Sequence, residues 1–145
     1  MTKAVRMEIR PFQSGDEEAV VRLWTVCGLV VPWNNPRHDI ARKLKVQGDM
    51  FLVACSDGRL IATVMAGYDG HRGCINYLAV HPDHQRTGIG RSMMDEAEKH
   101  LRSLGCPKIN LQVRSSNKIV IDFYKRIGFK EDDVVSLGKR IESDE

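Results

Sequence analysis

The sequence predicts one α/β (α+β) domain over residues 1–145, with a mixed, mainly antiparallel sheet of six to seven strands and helices on both faces. Three observations predict this fold. Strand-like and helical segments follow the order βαα-βββ-α-β-α-β(β). Asp-Gly pairs mark turns between the central strands, and a strand–helix–strand unit across residues 75–113 implies one parallel pair.

The N-terminal part of the chain predicts one strand and two helices. "VRMEIRPF", which includes Val5, alternates apolar and polar residues as a half-buried strand does. "GDEEAVVRLWTVCG" places apolar residues at helical spacing until Gly28 ends the helix. A second, shorter helix is expected after Pro36, with three apolar residues: Ile40, Leu44 and Val46.

The rest of the chain predicts strands separated by two further helices. "MFLVACSDGRLIATVMAGYDGHRGCINYLAV" contains three strands, with hairpin turns at Asp57-Gly58 and Asp69-Gly70. "GIGRSMMDEAEKHLRSLG" is a helix whose apolar stripe consists of Ile89, Met93, Ala97 and Leu101. We then expect a strand at "KINLQV" and a helix at "SSNKIVIDFYKRIG", with a serine near its N-cap and Gly128 at its end. "FKEDDVVSLGKRI" is expected to add one or two final strands.

Composition excludes several classes of function. The 145 residues carry a net charge of +3 without a basic run, which argues against nucleic acid as a partner. No apolar stretch approaches the roughly 18 residues of a membrane helix, and the first residues lack a signal-peptide core, so we expect a cytoplasmic protein. The four cysteines are scattered singly, and no metal-ligand spacing is present, so we expect no metal.

The stretch "QRTGIG", residues 85–90, lies between a predicted strand and a predicted helix. It lacks the third glycine of a dinucleotide-binding loop and the Gly-Lys-Ser/Thr of a Walker loop. Small residues at a helix start still let backbone N–H groups converge on an anion, and Arg86 and Arg91 add charge. The loop alone is compatible with a pyrophosphate site and equally with a bare strand–helix turn.

Two longer stretches, "LAVHPDHQRTGIGRSMM" and "NLQVRSSNKIVIDFYKRIGF", resemble the GCN5-related N-acetyltransferase (GNAT) superfamily. Its Gln/Arg-x-x-Gly-x-Gly/Ala signature matches Gln85, Gly88 and Gly90, and a later Asn, Tyr and Gly-Phe match Asn117, Tyr124 and Gly128-Phe129. "PWNNP", "GYDGHRG", "GCPKI" and "SLGKR" further resemble the bacterial YpeA group of small acetyltransferases.

The resemblance implies a GNAT-like fold, acetyl-CoA as co-substrate and a role for each matching residue. Backbone groups of Leu78, Ala79 and Val80 would pair with the pantetheine arm, Asn117 would also bind that arm, and Tyr124 would face the sulfur as the catalytic residue. The pyrophosphate would be held by the signature and its flanks, namely Gln85, Arg86, Thr87, Gly88, Ile89, Gly90 and Arg91.

No general base follows from the sequence. Relatives that acetylate the N-terminus of a ribosomal protein carry a Glu where this chain has Gln112, which argues against that subgroup. Asp69 and His71 are the next candidates, although a solvated turn explains them equally well, and proton removal through water stays open. Trp33 and Asn34 are candidates for one wall of the acceptor site, or else for a loop anchor.

The function predicted from these observations is acetyl transfer from acetyl-CoA to an amine by direct attack on the thioester. The alternative is a module that senses acetyl-CoA without turnover. We expect a small-molecule or protein amine as the acceptor, no nucleic-acid or membrane partner, and a fold that allows a homodimer.

Overall fold

The computed structural model describes residues 7–144, so Val5 of the first predicted strand lies outside the described residues. The strands are β1 (Met7–Pro11), β2 (Phe51–Ser56), β3 (Arg59–Tyr68), β4 (Gly73–Val80) and β5 (Ile109–Asn110). The helices are α1 (Glu17–Val26), α2 (Pro36–Lys45), α3 (Ile89–Ser103) and α4 (Lys118–Arg126). Single 3₁₀ turns occur at Ser14–Asp16, Gly48–Met50 and Pro82–His84. The described chain forms two compact units, one running to Asn110 and including Asp144, the other comprising Leu111–Ser143.

The sheet is open and follows the order β1-β2-β3-β4-β5. Its first three pairs are antiparallel, and β4 pairs with β5 in parallel, which confirms the mixed, mainly antiparallel sheet. The predicted Asp57-Gly58 turn joins β2 to β3, with φ of 51° and 75° at its two residues. Positive φ at both positions is what a two-residue hairpin turn of type I′ requires.

The prediction of six to seven strands is wrong, because residues 7–144 contain five. The predicted strand "KINLQV" is reduced to Ile109–Asn110, and "FKEDDVVSLGKRI" forms no strand. In that segment three consecutive acids disfavour a strand. Phe129 packs against Tyr124, but the later apolar side chains of the segment stay 75–95% exposed and bury no face that would favour strand pairing: Val134, Val135, Leu137 and Ile141.

Apolar side chains on both sides of the sheet form the core of the first unit. On one side, Val20, Leu23 and Trp24 of α1 and Ile40 of α2 are buried in a cluster with alternate residues of the strands. On the other side α3 packs against β2, β3 and β4, and all four residues of its predicted stripe are buried. Helices on both faces are therefore confirmed.

The second helix departs from its prediction in two details. It has 10 residues, as many as α1, and of its three predicted apolar residues only Ile40 is buried. Leu44 is 46% exposed and Val46, beyond the helix end, is 63% exposed. Arg37 of α2 pairs with Glu17 and Glu18 of α1 at 3.0 and 2.8 Å, so ion pairs supplement the single buried contact.

Candidate active site

An irregularity in β4 opens the edge of the sheet beside the predicted cofactor residues. Thr63 and Met65 of β3 lie opposite Ala79 and Asn76, so one more residue is accommodated in β4 than in β3. This bulge contains Tyr77, whose φ of 51° is left-handed. On its other edge β4 pairs with β5 only at Gly73 and Cys74, and within residues 7–144 no strand covers that edge beyond them. The edge can therefore accept an extended ligand as an added strand.

The pairing decides which backbone groups face this open edge. The amide of His81 donates to Ile61 O at 2.8 Å, so residues 81 and 79 direct their backbone groups toward β3. Leu78 and Val80 alternate with Ala79 and direct theirs to the open edge. Ala79, predicted with these two as a pantetheine partner, has its backbone on the β3 side.

Two buried side chains, those of Thr63 and Trp24, and the half-buried ring of Tyr77 fix the bulge. Thr63, which is 0% exposed, accepts a hydrogen bond from Trp24 Nε1 at 2.9 Å and donates one to Tyr77 O at 2.8 Å. The Tyr77 ring stacks on Trp24 with 3.8 Å between centroids, and its hydroxyl donates to Asp39 Oδ2 at 2.6 Å. Tyr77 is thus held at both its carbonyl and its ring, which stabilises the left-handed turn of the strand.

The predicted phosphate loop follows β4 and leads into α3. Arg86 and Gly88 are both left-handed, with φ of 63° and 84°, and Gly88 is the N-cap of α3. Alternation of left-handed residues turns successive N–H groups toward one side, as in anion-binding nests. None of the six N–H groups from Arg86 to Arg91 donates a hydrogen bond within the described part of the chain. These donors can therefore serve an anion.

The loop carries positive charge and is tied to the end of β4. Neither Arg86 nor Arg91 forms an ion pair with any residue between 7 and 144, so both guanidinium groups are available to phosphate. The partial positive charge at the start of α3 adds to theirs. Gln85 Nε2 donates to Val80 O at 3.0 Å, and a Cβ on Gly88 would meet nothing within 4 Å. An oxyanion can thus approach the amides around Gly88 directly.

Asn117 and Tyr124 belong to the second unit. Asn117 is the N-cap of α4, and Ser116 directly before it is the serine predicted near the cap. The Asn117 Oδ1 accepts from Val120 N at 3.4 Å. Seven residues separate it from Tyr124, so both lie on one side of the helix. The cap occupies the amide oxygen of Asn117 and leaves its NH₂ group as a donor.

Tyr124 is 8% exposed and packs edge-on against Phe123 and Phe129. The Tyr124 hydroxyl makes no hydrogen bond within residues 7–144, and its oxygen is not fully buried. The ring is therefore buried while the oxygen reaches the surface. Burial raises the pKa of the Tyr124 phenol to about 12. The phenol is therefore a donor that stays protonated at neutral pH.

The candidate acceptor residues occupy two loops of the first unit. Asp69 Oδ1 accepts from the amides of His71 and Arg72, both at 2.8 Å, and these bonds lower the pKa of Asp69. Its hairpin precedes β4, whereas the phosphate loop follows that strand. Trp33 is 47% exposed in the loop between α1 and α2, and the amide of Asn34 donates to Val31 O at 3.2 Å. Asp69 thus stabilises its own turn through hydrogen bonds. Trp33 has an exposed aromatic surface.

Residues 7–144 lack two further kinds of feature. They contain no group of three or more His, Cys, Asp or Glu side chains able to hold a metal ion. None of their helices combines the length and apolarity that crossing a membrane requires.

Comparison with known proteins decides the family. The model of the acetyltransferase (GNAT) family matches residues 17–129. The chain belongs to this family. It is 48% identical over 138 residues to the acetyltransferase ECA0875 of Pectobacterium atrosepticum, covering 95% of this chain and 98% of the relative. The protein is accordingly an acyltransferase.

Solved structures agree with this fold. The ribosomal-protein-S18-alanine N-acetyltransferase of Escherichia coli superposes with a TM-score of 0.73 at 23% identity, covering 88% of this chain and 79% of that one. The PaiA N-acetyltransferase of Thermoplasma acidophilum, solved with coenzyme A, gives 0.72 at 23% identity, covering 90% and 93%. Because both identities are only 23%, the similarity to these structures shows the GNAT fold alone.

Sequence reasoning missed the residues that shape the β4 bulge. Thr63 gave a weak signal, as a polar residue within the apolar run "LIATVMA". Tyr77 and Asp39 gave none, because their contact joins positions 38 residues apart.

Proposed function

We propose that residues 1–145 form a single acetyltransferase domain that transfers the acetyl group of acetyl-CoA to an amine. One observation carries the proposal: the open edge of β4 is followed, after the 3₁₀ turn Pro82–His84, by a loop with six N–H groups that donate no hydrogen bond within residues 7–144. A strand edge suits the amide-containing arm of coenzyme A, and converging amides suit its pyrophosphate.

Each part of the site has a task in binding the cofactor. Leu78 offers its backbone groups to the arm and Val80 its amide, since the Val80 carbonyl already accepts from Gln85 Nε2 and Cys27 Sγ. The Asn117 NH₂ group offers a further donor. The amides from Arg86 to Arg91 and their two guanidinium groups neutralise the pyrophosphate. When bound, acetyl-CoA supplies a thioester that a neutral amine attacks directly. Backbone N–H groups at the splayed edge stabilise the charge that develops on the carbonyl oxygen.

Tyr124 assists the departing sulfur as a hydrogen-bond donor. A phenol with a pKa of about 12 would protonate a thiolate near ~8.5 only at a cost of about 5 kcal/mol, at ~1.36 kcal/mol per pKa unit. A charge-assisted hydrogen bond needs no such transfer and strengthens as negative charge builds on the sulfur. This favours stabilisation of the thiolate over full proton transfer.

Proton removal from the amine goes through water. Gln112 takes no proton, and the carboxylate of Asp69 is engaged by two amides of its own turn. The hairpin of Asp69 and His71, and the loop of Trp33 and Asn34, are proposed to contact the acceptor. Gln112 stands where the ribosomal-protein acetyltransferases carry a Glu, which argues against assigning this protein to that subgroup.

The acceptor is a small-molecule or protein amine. Sensing of acetyl-CoA without turnover lacks support, because the relatives named above are acetyltransferases. YpeA-type specificity, a cytoplasmic location and a homodimer stay predictions.

Turnover with a panel of amines tests the proposal. Acetyl-CoA is supplied to the purified protein with single amines, and released thiol is measured beside the mass of the acetylated product. We expect thiol and product in equal amounts with at least one amine, and no acetyl adduct on the protein when amine is omitted. Binding of acetyl-CoA without turnover of any amine would instead identify a sensor.

A further inference from the structure

The side chain of Asp144 is held in a basic recess at the start of α2. Arg42 donates to both of its carboxylate oxygens, at 2.6 and 3.2 Å, and the amide of Asn35 donates to Oδ2 at 3.2 Å. His38 Nδ1 lies 3.6 Å from Oδ1, and the Asp144 side chain is only 1% exposed. We call the Asn35 amide, His38 and Arg42 the carboxylate cradle.

The cradle has the chemistry of a carboxylate site. The planar guanidinium of Arg42 matches the two oxygens of a carboxylate and binds both. The Asn35 side chain caps α2 by accepting from Arg37 N and His38 N, while its own amide points at the ligand. The helix dipole adds positive potential at the same end. Arg42 and the Asn35 amide hold the pKa of Asp144 well below its usual range, so the bound group is an anion.

A short chain of contacts connects the cradle to the β4 bulge. Arg42 Nη1 also lies 3.2 Å from Asp39 Oδ1, and Asp39 Oδ2 accepts from the Tyr77 hydroxyl at 2.6 Å. Tyr77 is the left-handed residue at the open edge of β4, where the thioester is proposed to lie. The Asp39 carboxylate, which suits an ammonium group, therefore stands between the cradle and this edge.

We propose that the cradle is the subsite for a carboxylate carried by the acceptor, and that Asp144 occupies it within the chain in competition with that acceptor. The acceptor is then an amine that also bears a carboxylate, such as an amino acid or a peptide, with its amine on the Asp39 side. This inference rests on the proposed acetyltransferase function. A purely structural role for Asp144 would predict a loss of stability with no preference among acceptors.

Direct binding tests the cradle without relying on turnover. Sodium acetate is titrated into wild-type protein and into Asp144→Ala while the Arg42 Nε–H resonance is followed by NMR. We expect saturable shifts in Asp144→Ala and at least about tenfold weaker binding in wild type, because Asp144 already occupies the cradle through charge-assisted hydrogen bonds. Glu142→Ala, which removes an exposed acid two residues before Asp144 in the sequence, is the matched control and should behave as wild type. Absence of saturable binding in Asp144→Ala would overturn the proposal.

Kinetics then tests the role of the cradle in acceptor choice. L-amino acids are compared with their α-carboxamides at saturating acetyl-CoA. Asp144→Ala should lower KM about tenfold for the acids alone, and Arg42→Met should raise KM for the acids relative to KM for their carboxamides. Equal responses of acids and amides would refute the subsite. If no amine were acetylated by any variant, the proposed function would fail, while the acetate titration would still decide whether the cradle binds carboxylates.

Discussion

Replacing Thr63 with valine tests whether its hydroxyl supports the β4 bulge. Valine has nearly the same shape as threonine, so the change replaces the Thr63 hydroxyl group with a methyl group and alters little else. Trp24 Nε1 would lose its acceptor at 2.9 Å, and Tyr77 O would lose its donor at 2.8 Å. A buried group left without its partner costs about 1–3 kcal/mol. The two losses together cost about 4 kcal/mol, and the extra buried methyl group offsets about 1 kcal/mol of this cost. The free energy of unfolding should therefore fall by roughly 3 kcal/mol.

Urea unfolding followed by tryptophan fluorescence measures this cost. Thr63→Ser is the matched control, because it keeps the hydroxyl and loses one buried methyl group, at about 1 kcal/mol. We expect valine, the more apolar residue, to be the more destabilising, and the Thr63→Val variant to bind acetyl-CoA more weakly because the bulge is less well held. If Thr63→Val were as stable as Thr63→Ser, the hydroxyl network would not support the strand.

Three further predictions concern titratable side chains. Tyr124→Phe should lower kcat about 10²-fold, the low end of the effect of removing one hydrogen-bond donor to a developing negative charge, with an unchanged Kd for acetyl-CoA by calorimetry. A wild-type kcat in the variant, with chemistry rate-limiting, would exclude a catalytic role. The pKa of Tyr124, about 12 in the folded protein, exceeds that of unfolded tyrosine near ~10. The stability linked to Tyr124 is therefore complete below pH ~10 and is lost as pH rises through ~12. Urea unfolding across this window, with Tyr124→Phe as the reference, should show a steeper decline in wild type; parallel declines would contradict this. Asp69→Asn should leave the pH–rate profile unchanged, because asparagine Oδ1 can keep both turn bonds and the proton leaves through water. Loss of the acidic limb of that profile in the variant would restore Asp69 as the base.

Local patterns predicted the elements whose stability depends on near neighbours in the chain. The Asp57-Gly58 turn and the stripe of α3 involve residues a few positions apart, and both were confirmed. The strands predicted after Phe129 depended on a distant pairing partner, which alternation of residues does not reveal. The residues that match the family signature could be named from the sequence, and they lie in the predicted phosphate loop and in or beside α4.

The rest of the candidate site arises from contacts that cross the chain. Asp144 meets Arg42 and Asn35 over separations of 102 and 109 residues, and Trp24 meets Thr63 over 39. Neither contact has a local signature, since Asp144 lies in an ordinary polar stretch and Trp24 on an ordinary amphipathic helix. The β4 bulge likewise depends on the register with β3, which one strand's residues do not determine.

The binding of acetyl-CoA by the loop around Gly88 is the central claim, and calorimetry tests it directly. Gly88 and Gly105 have φ of 84° and 81°, and a Cβ on either meets nothing within 4 Å, so valine introduces similar backbone strain at both positions. Only the Gly88 side chain would stand before the free amides of the loop. We expect wild type and Gly105→Val to bind acetyl-CoA equally. Gly88→Val should bind it at least about tenfold more weakly, because at least one charge-assisted hydrogen bond is lost. NAD and ATP should not compete with acetyl-CoA. Wild-type affinity in a folded Gly88→Val protein, or tight NAD binding without acetyl-CoA binding, would contradict the account.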